Sequence, residues 1–305
     1  MLQASMIGHN DYFTTLDLNT HTITHNIFLN DNSRTLDEII IQSDRITERN
    51  SMSDVSLAPR KIAAKQGLWE DPLRAVSILP GVHKQGGDLF SPSQIFVRGG
   101  APDENLFLMD NTQIYWPWYQ GGIRSIFNIE TIREVELLTG GFSAKYGNAL
   151  SSVMNVSTRD GNYENWHGNF SFGFANAQST IEGPLKKEKI SFLLSARKTY
   201  LDLFLKPDEA SFPVSNLIDG TYKLAWKLNE KHKLTFSGLS SSEGTAYSAS
   251  KPQVGIPNEI DTKGYKHTQS VQLHSNWSDK LYGKTSMVHS NTSSGVLVGR
   301  NIDFN

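Results

Sequence analysis

From about Trp166 onward, apolar and polar residues alternate with a period of two. Phe170, Phe172 and Phe174 share one face, opposite Asn169, Ser171 and Gly173. Tyr222, Leu224, Trp226 and Leu228 oppose Thr221, Lys223, Ala225 and Lys227. Leu234 and Phe236 oppose Lys233, Thr235 and Ser237, and Val271 and Leu273 oppose Gln272, His274 and Asn276. Polar turns such as Asn229-Glu230-Lys231 separate the segments. Such alternation predicts a series of antiparallel strands with one apolar face. It suits a one-sided sheet in water and a membrane barrel equally well. The two differ in what the apolar face meets. Aromatic residues at segment ends (Trp166, Tyr200, Tyr265, Trp277) would be interfacial girdles in a barrel and core edges in a sandwich.

The pattern upstream is different. Residues 67–160 read as a compact mixed α+β domain. Asp71-Pro72 is a helix start, an N-cap carboxylate followed by proline at the first helical position. Leu73, Val76 and Leu79 mark one helical face, and Pro80-Gly81 stops it. Strands are predicted at Gln94 to Arg98, Asn105 to Met109, Glu134 to Thr139 and Ser152 to Thr158, with turns at Gly99-Gly100 and Gly140-Gly141 between them. Residues 43–66 are polar and weakly patterned, a linker or an extended segment. Residues 1–42 read as short strands, Tyr12 to Leu18 and Thr22 to Leu29 about the turn Asn19-Thr20-His21, like the end of a small β-sandwich.

Composition narrows the chemistry. The chain has 305 residues, with 29 basic and 31 acidic side chains for a formal charge of −2, so no single-signed field points to nucleic acid. Cysteine is absent, which excludes disulfides, thiolate metal sites and cysteine nucleophiles. The sequence starting Met1-Leu2-Gln3-Ala4 lacks the basic and apolar regions of a signal peptide, and no run is long enough for a membrane-spanning helix. A barrel escapes that last test, because its strands alternate. Ser195-Ala196-Arg197-Lys198 formally matches a Ser-x-x-Lys nucleophile but lies in an alternating strand without companion motifs. Gly283-Lys284-Thr285 has Ser278 where a phosphate loop needs glycine. The nine histidines are scattered without a His-Glu-x-x-His pattern. No enzyme, metal site or cofactor is predicted.

Two long segments carry a resemblance. Residues 94–115, QIFVRGGAPDENLFLMDNTQIY, and the stretch from residue 129, IETIREVELLTGGFSAKYGNALSSVMNVSTRDG, resemble the two halves of the plug of TonB-dependent outer-membrane receptors. Ile181-Glu182-Gly183-Pro184-Leu185 and Ser191 to Tyr200 resemble the first barrel hairpin of these receptors. Residues 4–42 resemble the last strands of the carboxypeptidase-regulatory-like domain that precedes the plug in one branch. The resemblance implies an α+β plug at 67–160, antiparallel strands of an incomplete outer-membrane barrel at 161–305, a linker at 43–66 and the remnant sandwich at 1–42. About 140 residues hold roughly six to eight membrane strands, too few to close a barrel of this family. That implies a fragment, or a truncated product with open edges that lipid cannot satisfy.

The resemblance also assigns sites. Asp37, Glu38, Ile39, Ile40 and Ile41 resemble the TonB box, through which an energising inner-membrane protein of the TonB type binds by strand addition; the bland alternative is a strand of the sandwich. Arg98, Gly99, Gly100, Gly140, Gly141, Tyr146 and Gly147 are the expected lock and turns of the plug. The glycines admit positive φ, Arg98 seeks carboxylates of plug or wall, and Tyr146-Gly147 sits where chain and wall approach. Tyr115, Trp116, Trp118 and Tyr119 are candidate cargo contacts, or packing against the wall. The expected partners are the TonB-type protein, outer-membrane lipid and a surface lipoprotein. The expected place is the outer membrane of a Gram-negative bacterium, and the expected function is energised uptake of an iron chelate, vitamin or oligosaccharide. The rival readings are a soluble periplasmic binding or adhesion module, in which the apolar face would pack on the plug, and a non-functional remnant.

Overall fold

A computed structural model describes residues 2–4, 12–14, 27, 54–57, 71–86, 93–119, 124–143, 145–173, 176–200, 202, 214–248, 259–278 and 280–299. The chain divides into two compact units, residues 1–50 and 51–305. In the first, strands β1 (Leu2–Ala4) and β2 (Tyr12–Thr14) pair antiparallel. The predicted strand Thr22 to Leu29 lies, apart from Ile27, outside the described residues, as does Asp37 to Ile41.

The second unit begins with β3 (Asp54–Leu57), inside the stretch expected as linker or extended chain. It forms one edge of a five-stranded sheet, its Leu57 packing against the core. Helix α1 (Pro72–Val76) starts as predicted: Asp71 caps it by accepting the Leu73 amide at 2.9 Å, and Pro72 takes the first helical position. Leu73 and Val76 are buried. A hairpin of β4 (Val82–Gln85) and β5 (Gln94–Val97) follows. β6 (Asn105–Met109), β7 (Thr112–Gln113), β8 (Ile132–Leu138) and β9 (Ser152–Thr158) complete the sheet in the order β3-β8-β9-β6-β7, parallel only between β6 and β9.

Both faces of that sheet are covered. Phe107, Met109, Val135, Leu137, Met154 and Val156 join the main core with α1, and Leu106, Leu108 and Val153 form a second core with Tyr146. This is why β6 reads as a continuous apolar run from Leu106 to Met109 rather than an alternating one.

The alternating region forms a single antiparallel meander: β10 (His167–Phe172), β11 (Asn176–Lys186), β12 (Ile190–Thr199), β13 (Val214–Lys227), β14 (His232–Ser248), β15 (Glu259–Ser278) and β16 (Leu281–Gly299). Among the described residues, its first and last strands pair on one side only. The register carries one row, Phe192, Leu224, Phe236, Val271 and Met287, across five strands on the outer face. The neighbouring row on the same face is Ile190, Trp226, Leu234 and Leu273.

The opposite face is buried and mostly polar, carrying Ser195, Arg197, Asp219, Thr221, Lys223, Ser237, Ser241, Glu243, Lys266, Thr268 and Gln272. Phe170 and Phe172 are 71% and 73% exposed and Trp226 is 41% exposed, so the greasy side looks away from the plug. Polar inside and apolar outside inverts the water-soluble arrangement and is the arrangement of a membrane wall. Trp166, Trp226 and Trp277 are exposed near the short-turn end of the meander. Tyr200, expected in a girdle, instead buries its ring and donates to the Gly173 carbonyl.

Candidate functional site: the seam between plug and wall

The polar face of the meander meets the small domain through three groups of side chains. In the first, the register sets Arg197 of β12 directly opposite Asp219 of β13. Their side chains pair at 2.8 Å and both are buried. The rest of the guanidinium crosses to the plug, donating to the carbonyls of Phe127 and Ile126, each at 3.0 Å, and of Ser125 at 3.4 Å. A rigid fork of five donors suits this task, since it spans successive carbonyls while pairing with a carboxylate. Asp219 also accepts the Tyr119 hydroxyl. Burial, and then the Asp219 charge, push that hydroxyl well above the usual tyrosine range, so it stays a donor.

The second group holds the same plug segment. Lys266 of β15 donates to the Trp118 carbonyl and lies 3.5 Å from Glu243. Asn128 donates to the Ser195 hydroxyl at 2.7 Å. From within the plug, the second oxygen of the Asp71 cap accepts the Ser125 amide at 3.2 Å. Residues 124–128 are therefore held from the helix cap on one side and the wall on the other.

The third group lies at the short-turn end. Asp110 and Asn111 take left-handed φ of 49° and 64° in the β6–β7 turn. Asp110 accepts from the amide of Thr158 at 2.8 Å and from its hydroxyl. Lys223 of β13 donates to the carbonyl and hydroxyl of Thr158, each at 3.0 Å, and stands 3.4 Å from Asp160 and 3.6 Å from Asp110. Lys233 of β14 and the Tyr163 hydroxyl also contact Asp160. Burial alone would raise the Asp160 carboxyl, but the two lysines outweigh it and hold it at about 2. Nearby, Arg159 pairs with Glu182 of β11 and donates to the Glu130 carbonyl at 2.7 Å.

The residues expected from sequence divide between this seam and other places. Arg98 takes φ 49° and Gly99 φ 83°, with the Gly100 amide closing the turn onto Val97 at 2.9 Å. Arg98 is exposed, and among the described residues no hydrogen bond or ion pair joins it to the wall. The wall arginine Arg197 makes the contacts expected of it. Gly140 and Gly141 have positive φ as expected. At Gly100 the demand is spatial, since a Cβ would stand 2.3 Å from the Ser151 hydroxyl. Among the described residues the close approach expected at Gly147 is absent, with nothing within 4 Å of a Cβ there, and Tyr146 packs in the second plug core. The close approach is at Gly161, where a Cβ would meet the Phe192 carbonyl at 1.9 Å. Of the four aromatics, Tyr119 faces the wall, while Tyr115 is 75% and Trp116 39% exposed. Trp118 is buried between Phe107 and Trp116.

Residues 47–153 match the family of the TonB-dependent Receptor Plug Domain. The Ferrienterobactin receptor of Escherichia coli (strain K12) is 28% identical over 189 residues, which cover 57% of this chain and 24% of that protein. The siderophore receptor PirA from Acinetobacter baumannii superposes on 80% of this chain and 40% of its own with a TM-score of 0.59 and 20% identity. A variant of the ferric enterobactin receptor PfeA from Pseudomonas aeruginosa does so with the same TM-score and identity, over 80% and 41%. The chain thus spans about a quarter of the curated relative and two fifths of these solved receptors.

Proposed function

We propose that this chain carries the plug and part of the barrel wall of a TonB-dependent receptor of the Gram-negative outer membrane, and that it closes and gates a pore for energised uptake of a bulky nutrient. One observation carries the reading: a globular domain is held against the polar face of a sheet whose other face is apolar and exposed. A wall of that kind belongs with its outer face in lipid and its inner face toward a water-filled or plugged lumen. Because the joint is polar, parting it exchanges protein hydrogen bonds for bonds to water. Such a joint can open without baring a large apolar surface.

In this reading an energising TonB-type protein adds a strand to Asp37–Ile41 and pulls. The pull passes to the plug, and Arg197, Lys266 and Lys223 are the wall groups that must let go. Cargo is an iron chelate, a vitamin or an oligosaccharide, met by the exposed aromatics Tyr115 and Trp116.

The pore-closing role is tested in cells producing the full receptor or the receptor without residues 67–160, matched for surface abundance. Loss of the plug is expected to admit vancomycin, an antibiotic too large for the intact outer membrane, and so to sensitise the cells. Equal resistance of both strains would show that this domain closes no pore.

A further inference from the structure

Three connections of the meander are short: residues 187–189 between β11 and β12, 228–231 between β13 and β14, and 279–280 between β15 and β16. At the opposite end, residues 200–213 and 249–258 make much longer ones. In a membrane wall the short turns belong on the periplasmic side. With their flanks, residues 185–189, 227–231 and 278–281, they carry six lysines against three carboxylates. Lys186, Lys187, Lys189, Lys227, Lys231 and Lys280 are all exposed. Among the described residues no carboxylate pairs with any of them, and Lys227 lies over the Tyr163 ring at 4.2 Å. Lys233, by contrast, is committed to Asp160.

The backbone sets these turns side by side. The Lys227 amide donates to the Lys189 carbonyl at 2.8 Å, and the Asn276 amide to the Lys231 carbonyl at 2.8 Å. The Asn229 side chain fixes the second turn by accepting the Lys231 and His232 amides, each at 2.9 Å. Apolar surface borders the charge. The register places Lys186 opposite Ile190, at the end of the outer row that runs on through Trp226 and Leu234. Leu185, Leu228, Trp277 and Leu281 are exposed within a few residues of the lysines. A lysine at such a boundary lays its methylenes on the apolar belt and holds its ammonium at headgroup depth, the depth that tryptophan also marks. The long-loop end of the same strands lacks this excess. Among its described residues Lys198 and Lys263 are outnumbered by Asp202, Glu259 and Asp261, and Lys263 stands 3.6 Å from Asp261.

Resting on the membrane-wall reading above, we propose that the short turns of β11–β16 form a binding surface for anionic phospholipid of the periplasmic leaflet. Its phosphodiester headgroups meet Lys186, Lys187, Lys189, Lys231 and Lys280. Position decides the class of partner, because these ammonium groups stand within a few residues of surface that only acyl chains cover. Each lysine beside an anionic membrane surface strengthens the attraction about fivefold. Phosphatidylethanolamine brings an ammonium of its own, which competes with the lysines for its phosphate, whereas phosphatidylglycerol leaves its whole charge to them. The grip also has a mechanical use. The Glu188 amide donates to the Tyr163 carbonyl at 3.1 Å, so the turn that meets the headgroups also holds the passage from plug to wall. Lipid thereby braces the wall at the end toward which the plug is pulled.

The test reconstitutes the full receptor into mixed vesicles of phosphatidylethanolamine and phosphatidylglycerol. It then counts the lipids the receptor retains by native mass spectrometry, from detergent holding equal amounts of the two. Phosphatidylglycerol is expected to be retained about tenfold over phosphatidylethanolamine. Combining Lys186→Gln, Lys187→Gln, Lys189→Gln and Lys231→Gln should remove most of that preference at unchanged thermal stability. Lys198→Gln with Lys263→Gln, at the other end of the strands, should keep it. Equal retention of the two lipids by the wild type overturns the proposal, as does a preference that both variants keep or both lose. Soluble polyglutamate that binds the wild type, while the two lipids are retained equally, would give the surface to an acidic macromolecule and overturn the lipid assignment. Failure to enter vesicles at all would overturn the membrane-wall reading and this inference with it. Pore closure is decided separately by the vancomycin experiment.

Discussion

At the scale of single residues, the seam is an arrangement of charges that each face several partners. Asp160 is the clearest case, since Lys233 and Lys223 hold its carboxyl at about 2 against an ordinary 3.8. A carboxyl lowered by folding adds stability that is complete above the unfolded value and is lost as pH falls through the folded one. Asp160 should therefore contribute fully above about pH 5 and only a small remainder at about pH 2, with a total of roughly 2 kcal/mol. Thermal unfolding of the wild type and Asp160→Asn across this range checks it. The variant is expected to be the less stable protein at pH 7, with the difference closing near pH 2. A gap that persists at pH 2 would assign the effect to packing instead. Little of this was legible in the sequence. Arg197 and Lys223 stood on the polar face of alternating strands, as the pattern required. Their partners Phe127 and Asp110 lie 70 and 113 positions away, however, and no local spacing encodes such pairs. Arg98 drew attention because its motif is local, and its left-handed φ shows that the turn itself is what that motif specifies.

Secondary elements were legible in proportion to how much their own residues decided them. Helix α1 carried its cap and its proline, although it ends at Val76, short of Leu79 and of the Pro80-Gly81 stop expected for it, and β5, β6, β8 and β9 began and ended within about two residues of their expected bounds. β3 escaped notice because its four residues become a strand only by pairing with β8, some eighty positions away. The same limit applies to close approaches between elements. Tyr146-Gly147 suggested one, but the chain comes tightest to the wall at Gly161, where plug passes into barrel under the Phe192 carbonyl of β12. Gly161→Ala is expected to cost about 1–3 kcal/mol, because backbone rather than a flexible side chain must give way. Gly147→Ala, in open space, should stay within about 0.5 kcal/mol. Urea unfolding of the two variants side by side decides it, and equal losses would put the junction elsewhere.

For the whole molecule, the decisive contrast is between the two faces of one sheet. The outer face needs an apolar surrounding to be stable, whereas the inner face meets the plug through hydroxyls, amides and a few ions, with Leu193, Leu217, Ala225 and Leu239 its buried apolar members. The wall's strands are joined by continuous ladders and shielded on their apolar side, so wall and plug should not share one stability. Urea weakens both apolar and peptide contacts and competes well at a polar joint. In detergent the receptor is therefore expected to unfold in two steps, the plug leaving first at a concentration where the strands persist. A tether across the joint should abolish the first step. Asn128 and Ser195 already touch at 2.7 Å, and the chain has no cysteine of its own, so Asn128→Cys with Ser195→Cys can be bridged selectively by a short bis-maleimide. Bridging makes redocking intramolecular, which raises the effective concentration of the plug at its seat. With Trp166, Trp226 and Trp277 of the wall replaced by phenylalanine, fluorescence of Trp116 and Trp118 would follow the plug and far-ultraviolet dichroism the strands. The bridged protein should lose the early fluorescence change while keeping the late dichroic one. A single coincident transition in the untethered receptor would mean that plug and wall form one cooperative body, and a gate that works by parting them would then be untenable.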